Sequence, residues 1–196
     1  MNNIHIMIDL ETTALSPNAG IVQIGAAAFS ESPPNVDKFF DIRCSPVYNQ
    51  AHGYDIDPGT MQWWEKQPSD LRNRVFSGQQ DIKQALGFFV NYCNDLSNGH
   101  LDRVYLWANH IDFDLTVLKN AFYKEHGNYP FDFRKHMDYA NLKVLYPQLE
   151  IERDEQLYPP HDAVADAVFQ GKHCSVILQE LQANGLVANV FYAIPS

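Results

Sequence analysis

The sequence predicts an α/β fold, a mixed sheet flanked by helices, and three observations lead there. Apolar runs of β type crowd the first 43 residues, helical spacings dominate from residue 81 onward, and one further apolar run interrupts those helices. Ile4 to Asp9 is a short, nearly continuous apolar run ending in an acid. Ile21 to Phe29 is a second, placed behind the turn residues Ser16-Pro17-Asn18-Ala19-Gly20. The two read as an antiparallel pair. A third strand, Val36 to Arg43, follows the breaker Ser32-Pro33-Pro34-Asn35 and completes a three-strand meander, its Val36, Phe39, Phe40 and Ile42 suiting a partly buried sheet position.

From Ser45 to Gln80 the chain turns loop-rich, with prolines at 46, 58 and 68, and a short helix is expected from Pro58 to Lys66, where proline fits the first turn. Ile82, Leu86, Phe89, Val90 and Cys93 recur at helical spacing within Asp81 to Leu96, and Val104 to Ala108 reads as a strand returning to the sheet. A helix from Phe113 to His126 follows, with Phe113, Val117, Leu118 and Phe122 on its buried side. The last helix should begin near Pro159-Pro160-His161-Asp162 and run to about Asn184, where Gly185 supplies a stop. No repeat, low-complexity tract or linker divides the chain, so residues 1–196 are expected to form one domain.

Composition narrows the partners. A net charge of -10 argues against gripping a long duplex, which requires Lys and Arg to neutralise many phosphates. A short single-stranded end fits better, provided that bound divalent cations reverse the local field of the carboxylates. No stretch approaches the roughly 20 apolar residues of a spanning helix, and no export signal opens the chain, so a soluble protein without membrane contact is expected. Cys44, Cys93 and Cys174 lie far apart without metal-ligand spacing and read as reduced thiols of a cytoplasmic protein. The apolar tail from Leu186 to Ile194 either closes the protein's own sheet or buries itself against a second copy in a homodimer; the sequence leaves both open.

Three short segments carry the chemistry. Asp9 and Glu11 lie two apart at a strand end, so extended geometry points both side chains to one face, where they can share a divalent ion. Alone, such a pair is more often a solvated strand end; here it terminates a run apolar enough to make two acids without a counter-ion unfavourable. Next, Asn109 to Asp114 joins a strand end to a helix opening. Asp112 is a good N-cap, while Asp114 would sit in the first turn and face the strand ends. Finally, His161 to Asp166 occupies a helix entrance, and the offset of five keeps the two off one helix face, leaving His161 on the approach segment. Each of these alone could be an ordinary cap or surface group.

Taken in order, Asp-x-Glu, Asn-x-x-x-Phe-Asp-x-x-x-Leu and His-Asp-Ala-x-x-Asp resemble the DEDDh branch of the proofreading-exonuclease superfamily, which includes RNase T. Thr60-Met61-Gln62-Trp63-Trp64 is similar to the compact bacterial and phage exoribonuclease-like group within it. The resemblance implies an RNase H-like sheet of five strands, the meander plus parallel strands, flanked by helices. It also implies 3′→5′ exonuclease activity. Asp9, Glu11, Asp114 and Asp166 match the four metal-binding acids and His161 the general base. Thr12 and Thr13 match residues beside the terminal nucleotide, Ala14 stands where glycine is usual, and Asn109, Trp63 and Trp64 are further substrate-binding candidates. Tyr158 and Asp162 also satisfy the Tyr-x-x-x-Asp of the Tyr-type branch, but that reading would put Pro159 and Pro160 inside a helix.

Four carboxylates without a soft ligand suit Mg²⁺ or Mn²⁺, and two ions on the order of 4 Å apart would flank the scissile phosphate. A histidine is suited to take the proton of the attacking water, releasing nucleoside 5′-monophosphates from the 3′ ends of single-stranded RNA or DNA or of overhangs. Tyr54 joins the tryptophans as a stacking candidate, and Arg72, Arg74, Arg134, Lys135 and His136 are candidate phosphate contacts, with Asp138 either supporting the site or capping a helix. Two alternatives remain: a non-catalytic nucleic-acid-binding module of the same fold, and an oligonucleotide-specific exoribonuclease.

Overall fold

The computed structural model describes residues 3–31 and 34–185. Strands β1 (Ile4–Thr12), β2 (Ile21–Glu31) and β3 (Pro34–Arg43) form the antiparallel meander, and β4 (Val104–Ala108) and β5 (His136–Asp138) extend it in parallel, giving the order β3-β2-β1-β4-β5. The helices are α1 (Pro46–Ala51), α2 (Pro58–Glu65), α3 (Ser69–Val75), α4 (Ile82–Ser97), α5 (Asp114–His126), α6 (Tyr139–Leu145) and α7 (Ala163–Ala183). This is the mixed five-stranded sheet with flanking helices that the motifs imply.

Strand alternation divides the core in two. Ile6, Ile8 and Leu10 face one side and pack with Leu86 and Phe89 of α4 and Leu118 and Phe122 of α5. Met7 faces the other side, with Trp107 of β4 and Val168, Cys174 and Leu178 of α7. The same alternation carries Asp9 and Glu11 to the α7 side. The acids therefore emerge between a sheet end and a helix, where water is partly excluded.

The structure departs from expectation where elements are short. The stretch from 45 to 80 holds three helices rather than one, because six to eight residues are too few to display a period. Caps fix the starts of two of them instead: the Ser45 side chain accepts from the Tyr48 N–H and Asp57 from that of Thr60. Strand β5, only three residues and half-buried, has no alternation to read. Helix α7 begins at Ala163, after the prolines, because His161 adopts a left-handed φ of 63° that helical backbone cannot continue. The tail from 186 to 194, expected to close a sheet or a dimer, lies outside the described residues. All three cysteines are free and buried, and no described helix is long and apolar enough to cross a membrane.

Candidate active site

Three elements that are distant in sequence bring the acids together. One carboxylate oxygen from each of Asp9, Glu11 and Asp166 lies within 4.8 Å of the others. Asp114, the first residue of α5, is buried and turns back over the sheet end, its Oδ1 accepting the N–H of Leu10 at 3.1 Å. It does not cap the helix, and neither does Asp112, which is exposed; the helix N-terminus has no side-chain cap, a correction to the expected role of Asp112.

Gly25 makes this convergence feasible. It pairs with Asp9 across β1 and β2, and a Cβ added there would stand 2.1 Å from the backbone carbon of Ala163. Only a residue without a side chain lets the first turn of α7 rest directly on the sheet. Beside it, the wholly buried Gln23 fastens the helix entrance: its Oε1 accepts from Ala163 N at 3.2 Å and its Nε2 donates to Asp162 Oδ1 at 3.2 Å. Asp162 Oδ2 takes Arg74 Nε at 2.8 Å. Asp162 lies in this tie and outside the three-oxygen cluster that Asp166 joins, which disfavours the Tyr158/Asp162 alternative. Arg74, expected as a phosphate contact, is instead committed to that tie.

The acids of the cluster are buried or half-buried and repel one another. Burial, then repulsion from Asp114, Glu11 and Asp166, pushes the Asp9 carboxyl well above the usual range, although Gln170 Nε2 donates to its Oδ1 at 3.0 Å. Burial and then Asp166, Asp114 and Asp162 raise Glu11 likewise. Burial raises Asp114 to about 7 against the pull of its backbone donors. Repelling oxygen donors with no soft atom among them fit Mg²⁺ or Mn²⁺, and the buried Gln170 Oε1, without a hydrogen-bond partner among the described residues, is a further acceptor beside Asp9.

His161 is exposed on the approach to α7; its backbone N–H donates to Asp166 Oδ2 at 2.8 Å and its ring meets Trp63 edge-to-face at 4.8 Å. Trp63 is 39% exposed at the same rim. Trp64, also expected as a stacking surface, is a core residue: it is 2% exposed among Val22, Leu71 and Val75, with its indole N–H given to Thr12 O at 3.0 Å, so no ring face is free for a base. Tyr54 is similarly withdrawn, buried with its hydroxyl donated to Glu125. Thr13 is buried and its hydroxyl donates to Asp55 O at 2.7 Å, while the Thr12 hydroxyl donates to Ala14 O. Asn109 is half-buried with an Oδ1 that has no partner among the described residues.

The remaining cationic candidates are engaged elsewhere: Arg72 with Glu65 O, Arg134 with Asp132, Lys135 with Asp102 O and His136 with the Tyr129 hydroxyl. Asp138 caps α6 and accepts from Ile111 N, which holds the β4–α5 connection. Sequence reasoning passed over Gln23, Gly25, Gln170 and Arg153. A glutamine and a glycine inside an apolar strand signal a buried polar tie and a close backbone approach, and Gln170 lies one helical turn beyond Asp166. Arg153, in an irregular segment, gives no such signal.

The model of the 3′-5′ exoribonuclease Rv2179c-like domain matches residues 4–178. No curated protein matches the chain. Among solved structures, cell-death related nuclease 4 shares 12% identity at a TM-score of 0.58, over 94% of this chain and 65% of that one. Escherichia coli Exonuclease I in complex with a dT13 oligonucleotide shares 17% at 0.68, over 97% and 44%. The nuclease domain of 3′hExo, a DEDDh family member bound to rAMP, shares 14% at 0.62, over 94% of each. This chain therefore spans under two thirds of the first two proteins, and at these identities the likeness is one of fold, the RNase H-like fold of these nucleases.

Proposed function

The chain belongs to the 3′-5′ exoribonuclease Rv2179c-like family, an exonuclease family, and from that premise we propose that it shortens single-stranded RNA from the 3′ end, releasing nucleoside 5′-monophosphates. The observation that carries this reading is the convergence of Asp9, Glu11 and Asp166 oxygens within 4.8 Å, with buried Asp114 beside them. These four residues would hold two Mg²⁺ or Mn²⁺ ions, whose bound chemistry is to activate water and to stabilise charge on the departing 3′-oxygen.

The chain's own residues do the rest. Exposed His161, at the rim, accepts the proton of the attacking water. Half-exposed Trp63 offers one ring face to the terminal bases, and Asn109 stands beyond the end of β4 with an unspent side-chain oxygen. The net charge of -10 favours a short single-stranded end over a duplex, and three buried thiols suit a reducing, cytoplasmic setting. Residues 1–196 act as a single exonuclease domain in this reading. Single-stranded DNA is the second substrate to test, because Exonuclease I, which shares the fold, was captured with dT13.

The test is incubation of 5′-labelled single-stranded RNA and DNA with Mg²⁺, Mn²⁺ or chelator. Metal-dependent stepwise shortening, faster on RNA, is the expected result. Intact binding without shortening in any metal points instead to the non-catalytic module.

A further inference from the structure

Between Ile151 and Asp162 the chain forms no helix or strand, yet it must present His161 to Asp166. One side chain ties this segment to the site. Arg153 donates through Nη1 to Asp166 Oδ1 at 2.6 Å and through Nε to Tyr158 O at 2.8 Å, while its guanidinium lies 5.0 Å from the ring centre of Phe169 on α7. The pair is largely withdrawn from water, with side-chain exposures of 22% and 13% for Arg153 and Asp166. The other Asp166 oxygen takes the His161 N–H, so both carboxylate oxygens are oriented by this segment.

We propose that Arg153 is a positioning residue of the nuclease site, a clamp that fixes the Asp166 carboxylate and the 158–161 backbone to each other and so delivers His161 to the rim. The inference rests on the exonuclease reading. Guanidinium geometry suits this role, because its planar fork reaches a carboxylate and a carbonyl at once, which a lysine ammonium reproduces poorly. Residues that hold a metal-binding carboxylate in this way cost about 10- to 100-fold in metal affinity or activity when removed.

The experiment compares wild type with Arg153→Ala, Arg153→Met and Arg153→Lys. Methionine keeps an apolar stem over Phe169, so the Met variant serves if the alanine variant does not fold. Three quantities are read: the NMR shift of the His161 ring protons, set by the Trp63 ring current; Mn²⁺ affinity by calorimetry; and kcat and KM on labelled single-stranded RNA. The expected result in the Ala or Met variant is a His161 signal moved to an ordinary exposed position. Mn²⁺ binding weakens about 10-fold and kcat falls about 10- to 100-fold, with KM changed by less than about threefold. Arg153→Lys should fall between these variants and wild type. An unmoved His161 signal overturns the proposal, whether or not kcat falls, since Arg153 would then not order the segment. If wild type itself shortens neither polymer, the exonuclease reading fails while the His161 signal still decides the clamp.

Discussion

The site is assembled from two kinds of support. Asp9 and Glu11 stand on β1, paired there with Gly25 and Gln23 of β2, and strand alternation alone decides which face they occupy. His161 and Asp166 stand at the entrance of α7, behind a segment without regular structure, and are held by side-chain ties from Arg153, Gln23 and Arg74. Ladder-borne groups should tolerate the loss of any one side-chain contact, because backbone hydrogen bonds hold them. Tie-borne groups should be displaced more readily, so the positioning of the site, as distinct from its chemistry, should be most sensitive at the helix entrance.

The largest expected effect lies on the ladder side. Asp9→Asn should lower exonuclease rates by at least about three orders of magnitude, several kcal/mol of lost transition-state stabilisation, measured in single-turnover assays. In chelator the same variant should melt no lower than wild type, because it relieves repulsion within the cluster. A lower melting point would mean that the ladder depends on this acid.

At the entrance, His161→Ala should cost on the order of 10²- to 10³-fold in kcat with metal binding intact, the range of a positioned general base. Gly25→Ala then joins the two regions in a single substitution. Its Cβ collides with the Ala163 backbone, so stability should fall by about 1–3 kcal/mol in urea titrations, and a displacement of about 1 Å should cost roughly a hundredfold in kcat. Unchanged kcat in this variant would show that the entrance moves freely of the sheet.

Smaller effects sharpen the contrast. The folded Asp114 carboxyl keeps its proton up to about 7, whereas an unfolded chain releases it near about 3.9. The folded state therefore binds more protons between these values, and the stabilisation, complete below the lower one, is lost as pH rises through the upper. In chelator, the wild-type Tm should fall between about pH 5 and about pH 8 by more than that of Asp114→Asn. Least of all, Trp63→Ala should raise KM with little change in Tm. By contrast, Trp64→Ala should cost about 3–5 kcal/mol as a core deletion.

The convergence of the candidate acids was legible because they sit at punctuation points of the sequence, the end of an apolar run, a helix opening and a helix entrance. What escaped was support chemistry. Nothing in Trp63-Trp64 says which ring is buried, since a short helix presents neighbours on different faces and only the packed Val22, Leu71 and Val75 decide. That the Thr13 hydroxyl donates to Asp55 O, 2.7 Å away, is likewise decided by the loop.

By itself the sequence determined the fold class, the meander, the strand face of Asp9 and Glu11 and the identity of the acids, because hydrophobic periodicity and local motif spacing are properties of neighbouring residues. Tertiary structure alone decided that Gly25 admits α7 to the sheet, that Gln23 fastens the helix entrance and that Arg153 pairs with Asp166. Those outcomes depend on contacts between residues 13 to 140 positions apart, which no local pattern encodes.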